Sequence, residues 1–300
     1  MARDWDVTFS FWGAPPSNTE QEKCDNAVRA IRKAIDASAE LSARSLQVFI
    51  QGSYADRTNV RQDSDVDVCI LHNDVFYTDY SHTKGLNDAV LGFTDAPYHY
   101  ATFKNDVESA LVSYFGRPAV CRGKKAFDIR ENTYRVDADV VPCFEHRLYS
   151  GDQSSYFHLA GTQLFPDNGG KIINWPKQNY DNGIAKNDRT GQKFKAVTRI
   201  MKNLCFELME NGDKVAEKIP SYLIECLAWN VPDPDLTNGI LRQSVGAAIA
   251  YLWRETRVAT SCDKWTEVNG IKYLFHPSQP WRREDVNAFL VTAWNFIGFK

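Results

Sequence analysis

A regular apolar pattern begins just after Pro15-Pro16. In SNTEQEKCDNAVRAIRKAIDASAEL, Ala27, Ile31, Ile35 and Leu41 recur at helical spacing, and Ser17 followed three residues later by Glu20 makes a capping box, so a long helix is predicted to start there. LQVFIQ (46–51) and DVDVCIL (65–71) are short runs of the kind that form strands. Between them the chain turns at Gly52, whose missing side chain lets the backbone approach a ligand closely. Val107, Leu111, Tyr114 and Phe115 space a second helix over 105–116, and FDIRENTYRVDADVVPCFEHR (127–147) alternates as a hairpin with Glu131-Asn132 at its turn.

From about residue 160 the texture changes. GTQLFPDNGGKIINWPKQNYDNG (161–183), rich in Gly, Asn, Asp and Pro, reads as a loop that serves as hinge or lid. Helical patterns follow over 190–210, 219–230, 236–258 and 282–297. The predicted class is α+β in two parts: a mixed sheet with flanking helices over residues 1–160, and the lid segment with a helical lobe over 161–300. No internal repeat or low-complexity tract interrupts either part.

Composition narrows the chemistry. A net charge of −3 over 300 residues excludes a surface coated in positive charge, so any polyanion must be met locally. The seven cysteines are odd in number, scattered and never spaced C-x-x-C, which points to neither a disulfide framework nor a zinc module. No stretch approaches eighteen apolar residues, and MARDWDVTFSFWGAPP lacks a signal pattern, so the expected address is cytoplasmic with no membrane partner.

The densest chemistry lies in QGSYADRTNVRQDSDVDVCI, residues 51–70. Side chains two apart on a strand share a face, so Asp63, Asp65 and Asp67 are predicted to point one way while Val66, Val68 and Ile70 enter the core. For a D-x-D pair alone, a solvated strand face is the simpler explanation. Two features weigh against it. Gly52-Ser53 offers backbone N–H groups and a hydroxyl to a phosphate, and RVDADVVPC supplies Asp137 and Asp139 on a later strand. Three converging carboxylates suit Mg²⁺, whose shell usually keeps substrate phosphate and water. Two such ions would activate an attacking hydroxyl and stabilise departing pyrophosphate.

This combination of G-S, D-x-D and a third Asp on a neighbouring strand resembles the DNA polymerase β-like nucleotidyltransferase superfamily. ADVVPCFE resembles the third-carboxylate strand of oligoadenylate synthetases and bacterial cGAS/DncV-like enzymes, which assigns Asp139 and leaves Asp137 as a same-face neighbour. FKAVTRIMKNL (194–204) and IPSYLIECL (219–227) resemble the helix lysine and Ser-Tyr pair of cGAS-like enzymes, implying that Lys202 and Ser221 grip the triphosphate and Tyr222 stacks the base. With FWGAPPSNTEQEKCDNA and INWPKQNYDNG, nearly the whole chain resembles the CdnE clade of the bacterial cGAS/DncV-like nucleotidyltransferases.

The resemblance carries expectations. It implies a polymerase β-like core plus a helical lobe of the oligoadenylate synthetase and poly(A) polymerase type, with the active site in the cleft between them. Asp65, Asp67 and Asp139 would bind two Mg²⁺ ions, with Mn²⁺ as a substitute, and Gly52 and Ser53 would hold the donor phosphates. The substrates would be two nucleoside triphosphates (ATP, UTP or GTP), joined into a cyclic dinucleotide such as cyclic UMP-AMP for CBASS anti-phage defence. In that clade a lid asparagine favours a pyrimidine, and Asn174 in KIINWP is the position for it.

Other readings stay open at this level. Arg57, Arg61, Lys124 and Lys125, with Lys193, Lys195 and Arg199 along one helix, form either a solvated surface or a groove for regulatory RNA. CBASS accessory proteins are a further class of partner. A template-independent oligonucleotide or tRNA nucleotidyltransferase would carry the same catalytic face. A non-catalytic nucleotide- or RNA-binding module would not need clustered negative charge facing a polyanion.

Overall fold

The computed structural model describes residues 3–60, 65–130 and 136–299. Arg61, Asp63 and the turn expected at Glu131-Asn132 lie outside the described residues.

In chain order the long elements are helices α1 (Trp5–Trp12) and α2 (Asn18–Asp36), strands β1 (Leu46–Gln51) and β2 (Val66–Lys84), helix α3 (Tyr100–Phe115) and strands β3 (Val120–Arg122), β4 (Phe127–Ile129), β5 (Ala138–Asp152), β6 (Ser155–Leu164) and β7 (Ile172–Asn174). Helices α4 (Pro176–Arg189), α5 (Lys193–Glu210), α6 (Ser221–Asn230), α7 (Leu241–Thr256) and α8 (Arg283–Ile297) complete the chain. By contacts it divides into two compact units, one of residues 17–54 and 62–177, the other of residues 1–16, 55–61 and 178–300. The division is discontinuous, because two early segments join the helical unit.

The first unit is built on a seven-stranded mixed sheet of order β1-β2-β5-β4-β3, with β6 beside β5 and β7 beside β6. The α2 helix starts where the capping pattern places it, the Ser17 hydroxyl accepting from the Glu20 N–H at 3.2 Å. Its stripe Ala27, Ile31 and Ile35 packs with Phe103, Val107 and Leu111 of α3 and with Val68, Ile70, Val140 and Phe144 of the sheet. Burying these side chains, the larger of them each contributing about 1.5–3 kcal/mol, is what holds the unit together.

Two sequence expectations need correcting here. The second strand begins at Val66 rather than Asp65 and runs 19 residues, because the polar stretch after His72 continues to pair with β5 through two register shifts. The segment 161–183 is not a loop. Thr162, Gln163 and Leu164 of β6 pair with Asn174, Ile173 and Ile172 of β7, and Pro176 then opens α4. Gly161 permits this pairing, since a Cβ there would lie 2.7 Å from the Asn174 carbonyl oxygen and 2.8 Å from the Trp175 ring.

The second unit is helical. Phe9 of α1, Ile200 and Leu204 of α5, Leu223 and Leu227 of α6, Ile249 and Leu252 of α7, and Phe289 and Leu290 of α8 are buried in one cluster. Outside it, Arg3 stacks over Trp5 and Trp12 and pairs with Glu207, tying α1 to α5. No helix of the described residues is long and apolar enough to cross a membrane.

Candidate active site

Within the sheet unit, the carboxylates are arranged by strand register. Asp67 sits between Val66 and Val68, both fully buried, and its Cα partner across the parallel β2–β5 pairing is Asp139. Asp139 in turn faces Asp128 across the antiparallel β4–β5 pairing. Residues directly opposite across strands share a sheet face, so Asp67, Asp139 and Asp128 form a row three strands wide. Asp65 precedes β2 and is exposed, rather than lying on the strand face. Asp137 ends just before β5, where its carbonyl accepts from the Val66 N–H at 3.0 Å. The register therefore puts Asp139, and not Asp137, opposite Asp67.

The row is electrostatically strained. Burial first, and then the charge of Asp65, pushes the Asp67 carboxyl up from 3.8 to about 6. Asp139 is pushed to about 7 by burial and by the charges of Asp67, Asp65 and Asp128. Asp65, though exposed at its surface, is raised too, first by the partial desolvation of its carboxyl and then by the charges of Asp137 and Asp128. Carboxylates pushed upward by one another favour a shared proton or a cation. Asp128 belongs to no motif of the sequence; its place in an alternating run pairing with RVDADVVPC is the only signal for it.

Gly52 closes the row at the end of β1. It has φ +69°, and a Cβ there would stand 2.4 Å from Asp67 Oδ2. Ser53 follows in the short helical turn Gly52–Ala55.

The donor set is all carboxylate oxygen, which suits a hard divalent ion. Among the described residues no three His, Cys, Asp or Glu side chains already form a metal cage.

The helical unit carries the other singled-out residues. Tyr222, at the start of α6, keeps 36% of its surface exposed, while its hydroxyl lies 3.1 Å from Asn179 Oδ1 and 3.0 Å from Glu267 Oε2. Burial and the surrounding acidic groups hold its proton on well above the ordinary phenol value. Asn179 Nδ2 donates to Asp56 Oδ2 at 2.8 Å. Ser221 is half-buried beside Tyr222 at the first turn of α6. Lys202 is 2% exposed, and its ammonium donates to the Thr58 carbonyl (3.2 Å), the Thr58 hydroxyl (3.0 Å) and Glu225 Oε2 (3.1 Å). Asn174 belongs to the sheet unit, half-buried on β7 opposite Thr162.

The basic helix residues are not one solvated strip. Arg199 is 6% exposed and donates to the Gly13 and Arg57 carbonyls, Lys195 is 8% exposed, and Lys193 is half-buried with its ammonium donating to the Thr237 and Gly239 carbonyls. Lys195, Arg199 and Lys202, spaced four and three apart, share a face of α5 turned away from the apolar stripe of Val197, Ile200 and Leu204, and that face is buried all the same.

Residues 181–298 match the family model of the cGAS/DncV-like nucleotidyltransferase C-terminal helical domain. The chain is 46% identical over 99% of its length to a cyclic dipyrimidine nucleotide synthase CdnE of Legionella pneumophila, 99% of which is covered. It is 40% identical, over the full length of both chains, to a cyclic dipyrimidine nucleotide synthase CdnE of Cecembia lonarensis. The solved CdnE c-UMP-AMP synthase of Rhodothermus marinus, with Apcpp and Upnpp, superposes with a TM-score of 0.84 at 31% identity, covering 98% of this chain and 97% of that one. Enzymes of this family are in general metal-dependent. The row of carboxylates behind a Gly-Ser turn, the helical unit and these likenesses agree, and the chain belongs to the CdnE clade of the cGAS/DncV-like nucleotidyltransferases.

Proposed function

We propose that this chain is a cyclic dinucleotide synthase that joins two nucleoside triphosphates, at least one of them a pyrimidine, with release of pyrophosphate, in CBASS anti-phage defence. The observation that carries the reading is the in-register pairing of Asp67 with Asp139 beside Gly52, in a chain nearly half identical to a dipyrimidine synthase. Identities of 46% and 40% to dipyrimidine synthases, against 31% to a c-UMP-AMP synthase, move the expected product from cyclic UMP-AMP toward one with two pyrimidines.

Roles follow from the chemistry of each group. Asp65, Asp67 and Asp139 would hold two Mg²⁺ ions, or Mn²⁺ in their place, which supply neutralisation of the phosphate charge and acidify the attacking hydroxyl. Asp139, set beside the attacking hydroxyl, would take its proton on a carboxylate oxygen. The N–H groups of Gly52 and Ser53 orient the donor phosphates, and Lys202 and Ser221 contribute charge and a hydroxyl to the triphosphate. The exposed face of Tyr222 stacks a base. Attack on the α-phosphorus forms one P–O bond as the bond to pyrophosphate breaks, and a second such step closes the ring. Catalysis here is chiefly positioning and charge placement.

Base choice falls to an asparagine amide, which both donates to a uracil carbonyl and accepts from its ring N–H. Asn174 holds that role by resemblance, while Asn179 has the contact with Tyr222.

The deciding experiment incubates the purified protein with ATP, UTP, GTP and CTP and Mg²⁺, treats the mixture with phosphatase and identifies products by mass spectrometry. A phosphatase-resistant cyclic dinucleotide containing uracil is expected. Linear oligomers with phosphatase-sensitive ends would replace this reading with a template-independent polymerase.

A further inference from the structure

The helical unit buries two carboxylates and two ammonium groups together. Asp56, Glu225, Lys195 and Lys202 are 5%, 3%, 8% and 2% exposed. An ammonium has three N–H donors, and Lys202 has spent all three on Thr58 and Glu225. Glu225 Oε2 also accepts from the Thr58 hydroxyl at 2.7 Å, and Asp56 is held by Asn179. This part of the cluster is closed upon itself.

Lys195 differs. It lies seven residues before Lys202 on α5, two helical turns, and so on the same face. Asp56 and Glu225 attract its charge while Arg199 and Arg57 oppose it. Among the described residues, however, no hydrogen-bond acceptor or carboxylate comes within bonding distance of its ammonium; its own backbone N–H is satisfied by Asn187 Oδ1. The stem of Lys195 is buried while its ammonium keeps a solvent-accessible face, so the charge stands open to an anion arriving from solvent, and a lysine serving only to fill space would be better replaced by an apolar side chain. Two carboxylates facing two lysines and two arginines also leave the cluster with excess positive charge.

We infer that Lys195 is a second phosphate-binding cation of the helical unit, donating to the polyphosphate of a nucleoside triphosphate beside Lys202. Lys202 reaches a phosphate only by giving up a bond to Thr58 or Glu225, whereas Lys195 has three donors to give. The inference rests on the reading of the chain as a nucleoside triphosphate-using enzyme. It adds that the helical unit's grip needs both lysines, with Glu225 and Thr58 keeping Lys202 in place.

The test is calorimetric binding of a non-hydrolysable UTP analogue, inorganic tripolyphosphate and uridine to the wild-type protein and to Lys195→Met and Lys195→Arg. Lys195→Met is expected to weaken the analogue and tripolyphosphate by about tenfold, the loss of one charge-assisted contact, and to leave uridine binding unchanged. Lys195→Arg is expected to recover most of the loss. Equal analogue binding by Lys195→Met and wild type would overturn the inference while leaving the enzymatic reading intact. Loss of uridine and analogue binding together would overturn it in favour of a structural role. Absence of analogue binding by the wild-type protein would overturn the enzymatic reading itself. Should Lys195→Met not fold, Lys195→Gln, which keeps hydrogen-bonding capacity and lacks the charge, carries the same expectation.

Discussion

Gly52 and Asp67 are fitted to each other: a methyl group on residue 52 would occupy space 2.4 Å from Asp67 Oδ2, and the φ of +69° disfavours any side chain there. Gly52→Ala therefore combines a backbone cost of about 1 kcal/mol with displacement of a carboxylate that the reaction needs in place. The expected outcome is a folded protein whose turnover falls about a hundredfold or more, as misplacements near 1 Å do. Thermal unfolding and product formation, measured on the same preparation, separate the two effects. An alanine variant with wild-type turnover would show that the fit does not matter to the chemistry.

The pairing of Asp67 with Asp139 sets a second expectation. Asp65→Asn with Asp67→Asn should abolish turnover with circular dichroism and thermal unfolding unchanged, because removing repelling charges does not disturb the packing of Val66, Val68 and Ile70. Asp139→Asn should be as severe. Asp137→Asn, at a position outside the Asp67 pairing, should keep activity within about tenfold of wild type by the same positioning argument. If Asp137→Asn were the inactive variant and Asp139→Asn the active one, the assignment of the third carboxylate would be reversed.

The raised carboxyl values make metal binding pH-dependent. Only ionised carboxylates ligate, and Asp67 and Asp139 lose their protons near 6 and 7. The apparent affinity for Mg²⁺ should therefore rise from about pH 5 to about pH 8, with proton release visible as a buffer-dependent heat of binding. Stability in a chelator has the opposite slope. Folded-state values above the ordinary 3.8 mean a contribution fully present below that value and lost as pH rises through 6 to 7. Asp139→Asn should flatten that decline, and a wild-type protein of constant stability across the window would contradict it.

Two asparagines compete for the reading of the base. Asn179 touches the Tyr222 hydroxyl, while Asn174 is engaged in the β6–β7 pairing of the sheet unit. We expect Asn174→Ala to shift incorporation from uracil toward purines by about tenfold, the worth of one well-placed hydrogen bond, and Asn179→Ala, whose buried amide is spent on Asp56 and Tyr222, to leave product identity unchanged. Product analysis by mass spectrometry with all four triphosphates decides between them, and the reverse pattern would move the role to Asn179.

Much of this protein is legible in its sequence. Periodicity and the Ser17 cap place α2, alternation places β1 and the start of β2, and the helical patterns after residue 190 correspond to α5 through α8. These features are local, set by which side chains one helix or strand turns toward the core. Asp65, Asp67 and Asp139 are likewise visible, because spacing along a strand decides which carboxylates share a face.

Other features depend on partners far along the chain, and only the tertiary structure decided them. A tight turn at Glu131-Asn132 would set Asp128 opposite Arg135; the observed register sets it opposite Asp139, which makes Asp128 a member of the carboxylate row. The polar second half of β2 is a strand because β5 runs beside it, and 161–183 is ordered because Gly161 lets β7 lie against β6. Lys195, Arg199 and Lys202 look alike as basic residues on a helix. Which of them is satisfied by backbone carbonyls, which by Glu225 and which by no hydrogen-bond acceptor among the described residues depends on segments 13, 57–58 and 225, brought to α5 by packing that no local pattern encodes.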